Sequence, residues 1–148
     1  MNLPEYRDIR IRETQDGRRM VLDILRRRFV RLTPEEWVRQ HFVNWLVTEK
    51  GYPAALMANE VELRVGRKKL RCDSVLFGRD RLPRVVMEYK AEDVALTEKV
   101  LRQVATYNML LHVKYLMVSN GERHICLHYD DDLKRWGFMT DIPDYSEL

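Results

Sequence analysis

The sequence predicts a mixed α/β (α+β) fold, with a central mixed β-sheet flanked by helices and an N-terminal β-hairpin in front of it. Two segments carry apolar residues at helical spacing, while the runs around them are short, rich in β-branched residues and bounded by turn signals. At 148 residues, with 45% hydrophobic and 33% charged residues, the chain is long enough to bury one core. No repeat, low-complexity tract or Gly/Ser linker divides it. Residues 1–148 are therefore read as one domain: a hairpin extension over 1–32, a core over 33–130 and a C-terminal tail over 131–148.

Residues 8–31 read as the hairpin, because Asp16-Gly17 separates DIRIRETQ from RRMVLDILR and Asp-Gly favours tight hairpin turns. The RRR at 26–28 fits a strand end or a connecting loop equally well. The first helix starts at Thr33-Pro34, where Thr is a good N-cap, Pro suits the first helical position and Glu36 completes a capping box. It ends at Gly51, with Pro53 just beyond, and Val38, Phe42, Trp45 and Leu46 form its buried stripe. Strands follow at 59–65, 68–77 and 84–90, with turns at Gly66 and over 78–83. A second helix spans roughly 97–112, and strands at 113–120 and 123–130 meet at Asn120-Gly121. The remaining residues are expected to form a short helix or loop that packs Trp136 and Phe138 onto the core.

Composition excludes several classes. No window approaches the ~18 apolar residues of a membrane-spanning helix. The segment MNLPEYRDIR has no apolar run, so no secretory signal is expected. Cys72 and Cys126 lie in apolar runs and read as buried, reduced thiols, which fits a cytoplasmic location. Two cysteines cannot build a disulfide framework, and His124 and His128 lack the further ligands of a zinc site. Ser74 and Ser119 have no partnered histidine that sequence can place. Net charge is only +3, yet 19 of the 26 basic residues are arginine and ten of those precede residue 40. Guanidinium matches phosphate in a bidentate fashion, so an arginine-rich front suits a phosphate-bearing partner.

The chemistry concentrates on two strands. Asp73 interrupts the apolar run LRCDSVLF, and Glu88 interrupts RVVMEYK. A carboxylate inside a core strand is costly unless it is paired or binds a cation. Lys90 follows Glu88 by two, so both project to one face. With the hairpin in register, Asp73 enters the same space, giving two acids and an ammonium. Such a set suits Mg2+ or Mn2+, which take oxygen ligands and need only one or two carboxylates beside water and phosphate. Placed at about 100° per residue, Glu35 falls within the stripe of Val38, Phe42 and Leu46, with Glu36 one step round. Gln103 and Tyr107 share a face of the second helix.

Taken together, TPEEWVRQ (33–40), CDSVLF with Asp73, MEYKA with Glu88 and Lys90, QVATY with Gln103 and Tyr107, and SNG (119–121) resemble one family. It is the N-terminal nuclease domain of type I restriction enzyme R subunits, in the PD-(D/E)XK superfamily, and the likeness covers roughly residues 20–130. The resemblance implies a restriction-endonuclease-like core and Mg2+-dependent cleavage of DNA. It implies Asp73 and Glu88 as metal ligands, Lys90 as the catalytic lysine, Glu35 or Glu36 in support, and Gln103 and Tyr107 as a motif tied to activity and DNA contact. Cys72 stands where many members of the superfamily have proline. No GxxxxGK[ST] pattern occurs, so no ATP site and no motor are expected within these residues.

The expected function is a metal-dependent endonuclease-like domain that hydrolyses DNA phosphodiester bonds. Arg26, Arg27, Arg28 and Arg39 are the candidate backbone contacts, with Gln103 beside them. The alternative is a catalytically silent nucleic-acid-binding or assembly module with the same fold. Expected partners are DNA, a second copy of the chain or other restriction subunits, and no membrane.

Overall fold

Thr33 sets the start of the first helix. Its hydroxyl accepts a hydrogen bond from Glu36 N at 3.1 Å and Pro34 fills the first helical position, so α1 runs Pro34–Thr48. The Glu36 carboxylate does not return to Thr33 as a full capping box requires; it bonds Arg39 and Gln40 within the helix instead. Gly51, just past the helix, sits at φ +75°, which a side chain would disfavour. The computed structural model describes the backbone of all 148 residues and every side chain except those of Tyr107 and Asn108.

Six strands form the main sheet in chain order: β4 (Met57–Val65), β5 (Lys68–Phe77), β6 (Pro83–Tyr89), β7 (Tyr115–Ser119), β8 (His124–Asp130) and β9 (Arg135–Phe138). Neighbours are antiparallel except β6 and β7, which are parallel. A parallel pair needs a crossover, and α2 (Glu98–Met109) supplies it. Thr97 starts α2, its hydroxyl accepting from Val100 N. The two helices bury opposite faces of the sheet. Val38, Phe42, Val43 and Leu46 of α1 pack with Leu76, Val85, Met87 and Met117. Leu101 and Val104 of α2 pack with Val75, Val86, Leu116 and Val118. Side chains of this size each contribute about 1.5–3 kcal/mol on burial.

Two expectations change here. Residues 8–31 form not a two-stranded hairpin but a three-stranded sheet, β1 (Ile11–Glu13), β2 (Arg19–Asp23) and β3 (Arg28–Arg31), separate from the main one. The second turn rests on the Asp23 carboxylate, which accepts from Leu25 N and Arg26 N at 2.8 and 2.9 Å. Within the tail, Arg135–Phe138 adds strand β9 to the sheet, and a loop and a short 3-10 helix at Tyr145–Glu147 follow it. Trp136 packs against Tyr129 with ring centroids 5.4 Å apart, whereas Phe138 is 72% exposed. Farther on, Tyr52 donates its hydroxyl to Pro143 O at 2.9 Å and Tyr145 N donates to Lys50 O at 2.9 Å, docking the last residues beside the end of α1. Among the described residues, no helix is long and apolar enough to cross a membrane.

Asp23 joins the small sheet to the large one. It is fully buried, and its two oxygens accept from Asn59 Nδ2 at 3.1 and 3.0 Å while pairing with Arg26. Burial alone would raise its carboxyl, but the bonds from Arg26 and Asn59 outweigh that and hold it below the usual carboxylate range. A carboxyl lowered by folding stabilises the protein above its unfolded pKa, and that contribution disappears as pH falls through the folded value. Asp23→Asn should therefore cost on the order of 3 kcal/mol at neutral pH, since it strands the half-buried Arg26 guanidinium. Urea unfolding from neutral pH down into the carboxylate range should show a shallower acid dependence for the variant than for the parent.

Candidate active site

Pairing between β5 and β6 runs from Phe77–Pro83 to Ser74–Met87 and stops there, while β5 continues along β4 as far as Lys68. The next residues of the two strands, Asp73 and Glu88, thus face each other where the strands part. Asp73 Oδ2 accepts from Tyr89 N at 2.9 Å, so a side chain takes over from the backbone ladder at the fork. Side-chain alternation slips at the same place. Cys72 and Val75 belong to the same α2-side cluster although they are three residues apart, and Glu60 on β4 sits at φ +53°.

The two carboxyl groups lie close enough to act directly on each other. Burial, then the neighbouring Asp73 carboxylate, pushes the Glu88 carboxyl far above its usual range, with Lys90 and Arg39 pulling it partly back. Two carboxylates in contact cannot both stay charged without a cation, so the pair either shares a proton or holds a metal ion. Oxygen donors of this kind fit Mg2+ or Mn2+. Among the described residues, no third His, Cys, Asp or Glu joins the pair in a metal-binding group.

Lys90 follows directly, its backbone N bonded to Ser119 O at 2.9 Å, which extends the β6–β7 ladder. A cleft of about 240 Å³ is lined by Glu88, Lys90, Arg71, Val100, Gln103 and Val104. The structure thus brings Asp73, Glu88, Lys90 and Gln103 to one place. The side chain of Tyr107, expected beside Gln103, lies outside the described residues. Asn120 braces the rear: its side chain accepts from Glu122 N and Arg123 N and donates to Val94 O at 2.8 Å, tying the β7–β8 turn to the loop after Lys90. Cys72, beside Asp73, is fully buried, and burial pushes its thiol up to about 12.

The other expected residues sit elsewhere. Glu35 is exposed, because it lies in the first turn of α1, beyond the residues that meet the sheet. Glu36 is the buried acid, and it is occupied by Arg39, Gln40 and Arg26. Arg39 and Arg26, expected at a nucleic-acid surface, are held in ion pairs. Arg39 is 6% exposed and donates to Glu36 at 2.7 Å, Glu60 at 2.7 Å and the carbonyl of Asp73 at 2.8 Å. Arg27 and Arg28 are exposed. Burial works against the Arg39 charge, but Glu36 and Glu60 more than restore it.

Arg39 belongs to a polar layer that the sequence reading did not find. Tyr89 donates its hydroxyl to Ser74 Oγ at 3.0 Å, Ser74 donates to Asn59 Oδ1 at 2.5 Å, and Asn59 reaches Asp23. The signal was available in part: Glu36, Arg39 and Gln40 are spaced to meet on one helix face. Arg39→Met should destabilise the protein by about 3 kcal/mol, because Glu36 is left buried without its main counter-charge and the Asp73 carbonyl loses its donor. The denaturant midpoint of the purified variant checks this.

Residues 34–143 match the family described as type I restriction enzyme R protein N terminus (HSDR_N). No curated protein matches the chain. Among solved structures, a fragment of an HsdR subunit of a type I restriction enzyme from Vibrio vulnificus YJ016 aligns with TM-score 0.55 at 21% identity, over 79% of this chain and 24% of that one. At that identity the likeness is one of fold, and the present chain spans about a quarter of its neighbour's length.

Proposed function

The chain belongs to the type I restriction enzyme R protein N-terminal family, and from that premise we propose that it is a divalent-metal-dependent nuclease domain of PD-(D/E)XK type acting on DNA. The observation that carries the reading is the contact between the Asp73 and Glu88 carboxyl groups at the strand fork, in a cleft shared with Lys90 and Gln103.

Asp73 and Glu88 would hold Mg2+ or Mn2+, which supplies charge neutralisation at the phosphate and a more acidic water. Glu88 must lose its proton for this, and Lys90 and Arg39 already favour the charged form. Asp73 is fixed at both ends of its residue, its carboxylate by Tyr89 N and its carbonyl by Arg39, so little ordering is left to be done when substrate arrives. Lys90 presents an ammonium to the cleft, where it orients the attacking water or stabilises charge developing on the phosphate. Gln103, on the opposite wall, offers an amide donor to a non-bridging phosphate oxygen. In this reading the substrate is DNA, and other restriction subunits or a second copy are partners.

The test is nicking of supercoiled plasmid by the purified protein with Mg2+ or Mn2+. EDTA should abolish it, and Asp73→Asn, Glu88→Gln and Lys90→Ala should each lower the rate by about 100-fold or more. Glu88→Gln should melt close to the parent, because the amide replaces a carboxyl already driven toward its neutral form. Cleavage by all three variants at the parental rate would overturn the assignment. Metal-independent DNA binding without cleavage would leave a silent binding module.

A further inference from the structure

We propose that the outer half of the β4–β5 ribbon is a docking surface for the phosphate backbone of duplex DNA, delivering it to the cleft. The inference deepens the nuclease reading and rests on it for the identity of the polyanion.

The ribbon is unusual in its pairing. Beyond Ser74, the backbone of β5 no longer pairs with β6, so residues 61–65 and 68–72 pair only with each other. At ~3.3 Å per residue the five-residue arms extend about 16 Å from the body of the sheet. That exceeds the ~12 Å width of a B-DNA major groove, so cations at tip and base can meet phosphates on its two sides. One face of the arms is apolar: Val61 and Leu63 pack toward the α2-side core, and Leu70 and Cys72 are buried. The other face is exposed and basic.

The segment ELRVGRKKLR (62–71) holds five cations and one acid. Arg64, Arg67, Lys68, Lys69 and Arg71 are all exposed. Glu62 lies 3.7 Å from Lys69, and Glu60 pairs with Arg71, so the acids of this face are accounted for. Among the described residues, Arg64 on this face, and Arg67 and Lys68 at the tip of the ribbon, have no carboxylate partner. Moreover, the register sets Arg64 directly across from Lys69. Like charges in opposed cross-strand positions disfavour the ribbon, and an external anion relieves them. The surface also leads to the site: Arg71, at its base, lines the same cleft as Glu88 and Lys90. The buried ion pairs of Arg26 and Arg39 contrast with it, since those guanidinium groups are already spent on carboxylates.

Fluorescence anisotropy of a short labelled duplex in EDTA, over a series of salt concentrations, measures binding without cleavage. The parent should bind with a steep salt dependence. Arg64→Gln with Lys69→Gln, and Arg67→Gln with Lys68→Gln, should each weaken binding by about tenfold and reduce the slope of log K against log salt by about 1–2, as loss of phosphate contacts requires. The first pair should melt close to the parent, because removing the opposed like charges offsets the loss of the exposed Lys69–Glu62 ion pair, which separates lost contact from lost fold. Parental affinity and slope in both double variants would overturn the proposal. So would ribbon-dependent binding of phosphatidylserine vesicles with no binding of the duplex. The two readings fail separately: a parent that nicks plasmid beside ribbon variants that bind normally sinks the ribbon alone. Ribbon variants that lose the duplex, beside a Lys90→Ala protein that cuts normally, sink the catalytic assignment alone.

Discussion

The meeting of two acids at the point where β5 leaves β6 governs the rest of the molecule. A sheet interior tolerates one such carboxylate with difficulty and two in contact only under compensation. The protein supplies that compensation from three directions. Tyr89 N binds the Asp73 carboxylate, Lys90 and Arg39 bias Glu88 toward its charged form, and the Arg39 guanidinium anchors the carbonyl of Asp73. The local irregularities serve the same end, since the slipped alternation at Asp73 and the left-handed backbone at Glu60 lie on adjacent strands at this level.

The polar layer beneath the fork explains why an arginine-rich amino-terminal region need not be a binding surface. Arg26 and Arg39 are consumed in a chain of bonds that starts at Tyr89 and passes through Ser74, Asn59, Asp23 and Glu36. It spans the small sheet, α1 and the two strands that bear the acids. A buried network of this kind rigidifies the fold as far as its members are satisfied, and among its described, fully buried side-chain atoms Arg39 Nε is the one without a partner. The network therefore couples the amino-terminal sheet to the position of Asp73, although that sheet contributes no residue to the cleft.

Much of this was legible beforehand. The apolar runs LRCDSVLF and RVVMEYK placed Asp73 and Glu88 on strands with Lys90 at the end of the second, and the short turn at 78–83 made their register a matter of small integers. Helix α1 announced itself through Thr33 and Pro34, and α2 through its spacing. The failures have physical causes. A helical wheel put Glu35 in the apolar stripe, whereas the structure exposes it and turns its neighbour Glu36 inward onto Arg39 and Gln40. The turn after Asp23 was missed because RRMVLDILR reads as one continuous strand, and the bonds from the Asp23 carboxylate that break it are a side-chain effect. Charge counting cannot tell a guanidinium that faces water from one committed to Glu36. The edge strand β9 was missed because four residues broken by Gly137 carry almost no periodic signal.

Cys72 offers a view of the fork from within. Its sulfur sits against the α2-side core next to a metal-ligand candidate, and a protonated thiol so enclosed is inert to alkylating reagents. Oxidants and thiol-directed poisons thus have no handle on the native cleft. Conversely, any maleimide that does couple there must have caught the two strands separated, so its rate of incorporation times how often this corner of the sheet comes undone.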